Sequence, residues 1–360
     1  MVIILEIVYD IIGMEIIDKR LGLRSIILQK KGRWHMAAVN IGGQAVLEGV
    51  MMKGKEYYAV AVRKADGTIV TEAKPTKSLL NKSKFFRLPL IRGVIVFIES
   101  LVLGVTSLNF SADLYGDEED EEEPGKFEKW LMDKLGDKAE QVVMAIAMVI
   151  AFALSIGIFM ILPMLIGNAC SKLIPGMSLF WQNLVEGIVR ILLFLGYMKL
   201  ITLTKDIKRT FEYHGAEHKS INCLEQGKEL TVENVRGCTR LHKSCGTSFL
   251  FVVMIISILV YSVFTTEVVW QRIVVRILML PVVAGISYEF IRWARTHQNN
   301  KCACIFSAPG LWLQKKFTTL EPDDKQIEVA IAAVEGVFKY EPMAAQPTKP
   351  DDVPEYLEGN

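Results

Sequence analysis

Residues 141–167 read "QVVMAIAMVIAFALSIGIFMILPMLIG", a run of 27 residues without one charge. A helix needs roughly 20 apolar residues to cross the hydrocarbon core of a bilayer, so this stretch alone argues for a membrane protein. Three further segments extend the reading. Residues 179–203 are apolar around Glu186 and Arg190, residues 247–264 ("TSFLFVVMIISILVYSVF") carry no charge, and residues 273–293 include Arg276, Pro281 and Glu289. The expected fold is an α-helical integral membrane protein of about four spans in two transmembrane hairpins, 139–204 and 247–294.

Composition agrees. Of 360 residues, 51% are hydrophobic and 22% charged, and the mean hydropathy is +0.30. The excess is concentrated in the runs above, which points to spans and not to one large core. A formal net charge of +1 excludes an overall basic footprint and with it nucleic acid as a partner. Six cysteines in a chain this long make no disulfide framework and read as reduced thiols or ligands. The N-terminal "MVIILEIVYDIIGMEII" carries Glu6, Asp10 and Glu15 with no basic flank, so it does not read as a secretory signal.

Loop charge sets the expected orientation. The connection 204–246 carries Lys205, Lys208, Arg209, Lys219, Lys228, Arg236, Arg240 and Lys243, whereas the loops inside each hairpin are short. The positive-inside bias places the basic loop and both termini in the cytoplasm. A fifth apolar stretch, 88–110, contains Arg92 and Glu99. It reads as a re-entrant or interfacial helix (88–112), the alternative being a fifth full span.

Outside these helices the sequence predicts a small α+β region at 36–87. "YYAVAVRKADGTIVTEA" alternates on both sides of Asp66-Gly67 and reads as a β-hairpin. Ahead of it, "IGGQAVLEGVMMKG" places Gly42, Gly43, Gly49 and Gly54 where unusual backbone dihedrals are expected. Residues 113–138 hold "GDEEDEEEPG", a self-repelling acidic linker. In the C-terminal region, 295–360, Asp323-Asp324 should cap a helix whose Ile327, Ala330, Ile331, Val334 and Phe338 form one apolar stripe.

The chemistry concentrates in "EYHGAEH", 212–218, inside the basic loop, 205–246. On a helix His214, Glu217 and His218 share one face. H-x-x-E-H is the order in which two histidines bind zinc and the glutamate activates water. The same loop holds "LHKSCG", with His242 and Cys245 at ligand spacing, so His214, His218, His242 and Cys245 can form a four-ligand set. If all four bind, the site is closed and structural; if three bind, a water can occupy the fourth position and Glu217 can act as base. Glu289, oriented by Arg292, is the alternative third ligand. The pair Cys302 and Cys304 is too closely spaced for tetrahedral zinc and reads as packing.

Ionisable groups inside a span cost at least roughly 2.5 kcal/mol each unless they are paired or face water. Glu186 and Arg190, four apart, are expected to pair with each other. The alternative is a polar cavity continued by Arg276, for a lipid head group or an ion. Pro281 and Gly285 would permit a kink that opens it.

The stretches "GGQAVLEGVMM", "LIRGVIVFIES", "YHGAEHKSINC", "LTVENVRGCTRLHKSCGTSFL", "LPVVAGISYEFIR" and "PGLWLQKKFTTLEPDD" resemble the YqhQ-like family of bacterial integral membrane proteins, over about 39–334. The resemblance implies a multi-pass membrane fold and a predicted metal-dependent enzyme, with no substrate attached. His214, Glu217, His218, His242 and Cys245 lie in matching stretches. The family pattern starts near "NIGGQAVLEG", so residues 1–35 read as an added leader. The function expected is metal-dependent hydrolysis at the cytoplasmic face of the inner membrane, with zinc as cofactor and a membrane-associated substrate. The rivals are a non-enzymatic scaffold with a structural metal and protein partners, and a small transporter or lipid-handling protein.

Overall fold

The computed structural model describes residues 41–116, 134, 139–243, 245–264, 268–297 and 300–341. The expected leader, most of the acidic linker and the end of the tail lie outside these residues. Four strands come first: β1 (Gly42–Val46), β2 (Gly49–Lys53), β3 (Tyr57–Arg63) and β4 (Ile69–Pro75). They form one antiparallel sheet in the order β1-β2-β3-β4. The β3–β4 connection turns at the predicted Asp66-Gly67. There the Asp66 carboxylate accepts the Thr68 N–H at 2.8 Å and its hydroxyl at 2.6 Å, and Gly67 adopts a φ of 86°.

The glycine-rich stretch is not irregular, as expected, but a second hairpin. Val46 pairs with Gly49 across the two-residue turn Leu47-Glu48, and the left-handed residue of that turn is Glu48, with φ 46°. The glycines serve close approach instead. A Cβ on Gly49 would lie 2.4 Å from the Ala61 carbonyl oxygen, and one on Gly43 would lie 2.7 Å from Glu217 Cγ.

Helix α1 spans Ile91–Gly116, and α2 (Ala139–Ile156) continues through a π-helical turn (Gly157–Ile161) into α3 (Leu162–Leu173). Then follow α4 (Leu179–Ile201), α5 (Lys205–Glu225), α6 (Val232–Arg236), α7 (Gly246–Val263), α8 (Val269–Thr296) and α9 (Lys301–Leu313). A second π-helical turn (Gln314–Thr318) leads to α10 (Asp324–Phe338). Among the described residues four helical stretches are long and apolar enough to cross a membrane: Ile91–Tyr115, Ala145–Leu173, Gly246–Val263 and Trp270–Ala294. The expected span at 179–203 is a helix of 23 residues but is not among the four. Buried Gln182, Asn183 and Glu186 interrupt its apolar run.

Period-2 alternation puts two cores on the two faces of the sheet. Val50, Met52, Ala59 and Ala61 face α5 and α10, meeting Tyr213, Ala216, Ile327 and Val334. Val46, Met51, Val60 and Val62 face the opposite way, against Leu103, Phe110 and Leu114 of α1. Each Val, Leu, Ile or Met side chain here contributes about 1.5–3 kcal/mol by leaving water. Helix α10 starts at Asp323 in a capping box with Gln326; of the predicted stripe Ile327, Ala330 and Val334 are buried together with Val329, Ala333 and Val337, and Ile331 and Phe338 are half-buried at its edge. Just past it, the Glu341 carboxylate accepts backbone N–H groups of Lys55, Glu56 and Tyr57, tying the end of the described chain to the β2–β3 turn.

Helix α1 is continuous, and its partners change along its length. Gly93 lies against Tyr288 and Gly285 of α8, Phe97 meets Phe249 at the start of α7 in a tilted pair with ring centroids 5.7 Å apart, and from Gly104 on its neighbours are the sheet residues Gln44 and Leu47. Its opposite side exposes Ile98, Leu101, Val102, Val105 and Leu108. Gly285, expected to open a kink, instead makes room for α1: a Cβ there would lie 2.8 Å from the Leu90 carbonyl oxygen.

Glu341→Ala leaves three turn N–H groups without their carboxylate and is expected to cost about 2–3 kcal/mol, read as a lower midpoint of thermal unfolding in detergent. With Cys302 and Cys304 replaced by serine, Lys77→Cys lies ahead of α1 and Asp113→Cys in its last turn. Both are expected to react with an impermeant maleimide from the same side of the bilayer; labelling from opposite sides would make α1 a span.

Candidate metal centre

Helix α5 carries the H-x-x-E-H residues on the face turned toward the protein interior. Glu217 and His218 are fully enclosed and His214 nearly so. Each imidazole is held by a backbone carbonyl: His214 Nδ1 donates to Thr318 O at 2.7 Å and His218 Nδ1 to Arg240 O at 2.7 Å. A backbone carbonyl can only accept, so both rings carry their proton on Nδ1 and turn a lone pair on Nε2 inward. The ring centroids are 4.4 Å apart. The Thr318 carbonyl is presented by the π-helical turn Gln314–Thr318, which lies in the matching stretch "PGLWLQKKFTTLEPDD".

Cys245 reaches the same point from the N-cap of α7. Its sulfur accepts the Thr247 N–H at 3.4 Å and lies 3.3 Å from His214 Nε2. The ligand atoms of His214, His218 and Cys245 all lie within 4.8 Å of one another. Tetrahedral zinc with these donors needs separations of about 3.3–3.6 Å, within reach of small side-chain rotations.

Glu217 completes the group. Its Oε2 lies 3.6 Å from His214 Nε2 and 3.7 Å from His218 Nε2, and it is buried with no hydrogen-bond partner. Burial pushes the carboxyl above the usual carboxylate range, against the pull of His214, His242 and the Gly43 N–H. Burial likewise pushes His218 below the usual imidazole range, which favours the neutral, ligating form. Gly43, on the edge strand, is where "GGQAVLEG" meets the histidines: only a residue without Cβ lets β1 pass Glu217 this closely.

The remaining expected residues fall elsewhere. His242 stands beside the group, its ring 5.6 Å from that of His218, but its Nε2 lies 3.2 Å from Glu225 Oε1. Its backbone is clamped by buried Gln314, which accepts the His242 N–H at 2.9 Å and donates to its carbonyl at 2.9 Å. Glu289, the alternative third ligand, does not join the histidines; Arg92 clasps it through Nε at 2.7 Å and Nη2 at 2.6 Å. Arg92 can reach it because α1 begins against this turn of α8. Cys302 and Cys304, expected in packing, are exposed on α9.

Inside the helix bundle, Glu186 and Arg190 do not form the expected i,i+4 pair. Glu186 is taken by Arg272 and Arg276 of α8, while Arg190 donates to the Phe159 carbonyl at 2.9 Å and to Ser257 Oγ at 2.9 Å. Reasoning from the sequence missed Arg272, Thr318, Gln314 and Gly43. Of these only Gly43 carried a signal, as part of a glycine-rich stretch.

Residues 88–340 match the family described as "Protein of unknown function (DUF1385)". The chain is also 36% identical over 317 residues to the "Uncharacterized protein YqhQ" of Bacillus subtilis (strain 168), covering 88% of this chain and 98% of that protein. The chain belongs to this family. No solved structure matches it. The family match spans every helix from α1 to α10 and includes all the side chains of the His/Cys/Glu group, whereas Gly43 and the sheet lie N-terminal to it. The relative covers most of the chain beyond the family segment as well.

Gly43→Val places a branched side chain against Glu217 Cγ and Met52 Sδ. It is expected to cost about 1–3 kcal/mol in stability, measured by thermal unfolding, whereas Gly246→Ala, where a Cβ meets nothing, should leave the midpoint in place.

Proposed function

We propose that the chain is a metal-dependent hydrolase acting at the membrane surface, at the end of the bundle where α7 begins and α8 ends. The observation that carries this reading is Glu217 Oε2. It is a buried carboxylate oxygen without a hydrogen-bond partner, set almost equally far from the inward-facing Nε2 atoms of His214 and His218. A polar atom left this way has a reason in a function, since burial without a partner is costly.

His214, His218 and Cys245 would hold the ion, and zinc suits two imidazoles and a thiolate. Three protein ligands leave a position for water, and the metal would lower the pKa of that water and polarise the substrate carbonyl or phosphoryl oxygen. The residues of the chain do the rest. Thr318 O and Arg240 O orient the imidazoles, and Gly43 lets Glu217 close over the site. Glu217 takes the proton from the attacking water as the new C–O or P–O bond forms. It returns that proton to the leaving oxygen or nitrogen as the old bond breaks. The substrate class is an ester, amide or phosphoester presented at the bilayer, with the site and both termini on the cytoplasmic side of the inner membrane.

The proximity of His242 to His218 supports a second reading, in which His242 turns from Glu225 to become a fourth ligand and the ion is structural. Metal content by mass spectrometry on detergent-purified protein separates the two, together with hydrolysis of a panel of nitrophenyl esters, nitrophenyl phosphoesters and fluorogenic peptides. We expect near-stoichiometric zinc that His214→Ala loses. Glu217→Gln should keep the metal and the fold and lower turnover about 10²–10⁴-fold. Wild-type protein without metal would overturn both readings. Loss of metal and fold in His242→Ala, with no turnover by the wild type on any probe, would make the site structural.

A further inference from the structure

At the end of the bundle away from the sheet, α3, α4, α7 and α8 enclose a cluster of charges that does not balance. Glu186 is 1% exposed, and its two oxygens are taken by Arg272 and Arg276, themselves 5% and 4% exposed. Arg272 also donates to Asn168 Oδ1 at 2.9 Å and to Asn183 Oδ1 at 3.1 Å. Arg190 reaches the cluster from α4. It bonds the Phe159 carbonyl in the π-helical turn Gly157–Ile161, and Ser257. The guanidinium carbons of Arg190 and Arg276 lie over one ring, that of Tyr261, at 5.7 and 5.4 Å from its centroid.

Among the described residues the cluster thus holds three guanidinium groups and one carboxylate, which Arg272 and Arg276 take, an excess of two positive charges. The other partners are neutral: two asparagines, a serine, a tyrosine ring and a backbone carbonyl. Arg276 Nη1 is buried and has no partner at all. Guanidinium does not relieve such burial by losing its proton, and uncompensated charge in a low-dielectric bundle is strongly unfavourable. The depth of the cluster identifies what compensates it. Arg272 and Arg276 lie one and two turns into α8, and Glu186 two turns into α4. Phe180, Trp181 and Trp270, at the starts of the same helices, are exposed, the placement of an aromatic belt at head-group level.

We infer that this arginine cluster is an intramembrane binding site for a phosphate group, with Arg276 Nη1 and the Arg190 guanidinium as its donors. A planar guanidinium suits phosphate oxygens better than a point cation does. The chemistry is shared by a lipid phosphodiester and by free phosphate, and the head-group depth favours the lipid. The site is separate from the H-x-x-E-H group and does not depend on that group's function.

Thermal unfolding of the full-length protein in a neutral detergent tests this, with short-chain phosphatidylglycerol, short-chain phosphatidylcholine and inorganic phosphate titrated in turn. Saturable stabilisation by phosphatidylglycerol, at least tenfold tighter than by phosphatidylcholine, is expected. Arg190→Met should weaken it at least tenfold while leaving the ligand-free midpoint close to wild type, since Arg190 holds no carboxylate. Arg276→Met, which also takes a partner from Glu186, serves as the second variant. Stabilisation by phosphatidylglycerol alone assigns the site to a lipid head group; stabilisation by inorganic phosphate as well assigns it to free phosphate. Equal stabilisation by phosphatidylcholine, no stabilisation by either anion, or a response unchanged in Arg190→Met overturns the proposal.

Discussion

The structure depends on the burial of a polar helix. From Gly215 to Leu224 every residue of α5 is buried, including Glu217, His218, Lys219, Ser220 and Asn222. Buried polar groups must be partnered or they destabilise the fold, and one neighbouring segment supplies several of the acceptors, with Glu321 also pairing with Lys219. Lys219 donates to Arg236 O, Asn222 to Thr239 O and Leu241 O, and His218 to Arg240 O. The stretch 236–241 thus runs along α5 with its carbonyls turned inward. The sheet closes one side of α5, and the π-helical turn before α10 closes another. The two imidazoles owe their fixed tautomer to this enclosure.

Helix α7 links the two polar centres. Cys245 caps its first turn beside the histidines, while Ser257 and Tyr261 meet the arginines three to four turns later. At 1.5 Å per residue the 16 positions from Cys245 to Tyr261 span about 24 Å, most of the thickness of a bilayer core. The centres are too far apart to exchange hydrogen bonds or to screen one another directly. One is a compact set of soft and borderline donors around a carboxylate, and the other is an excess of guanidinium. They suit ions of opposite charge.

Much of the architecture was legible from local pattern. The uncharged runs at 141–167 and 247–264 are helices because continuous apolar sequence of that length leaves the backbone no better way to satisfy itself. Asp66-Gly67 turns a hairpin because Asp bonds its own backbone and Gly accepts a positive φ. Asp323 caps α10 through its own side chain. The convergence of His214, Glu217 and His218 follows from helical geometry alone. Helical spacing failed where distant residues competed for the same group. Glu186 and Arg190 have the spacing of an ion pair, yet two arginines some ninety residues away take the carboxylate. Each of the two takes one oxygen, and Arg190 is left to the Phe159 carbonyl and Ser257.

By itself the sequence determined three of the four membrane-compatible helices among the described residues, the β3–β4 hairpin, the Asp323 cap and the face on which the H-x-x-E-H residues fall. These depend on periods of two and 3.6 residues and on contacts within a few positions. Tertiary structure alone decided that Cys245 joins the histidines while His242 turns to Glu225, that Arg92 holds Glu289, and that Gly43 makes room for Glu217. Each of those outcomes is a competition between partners brought together from distant parts of the chain. Packing settles it, and spacing carries no information about packing.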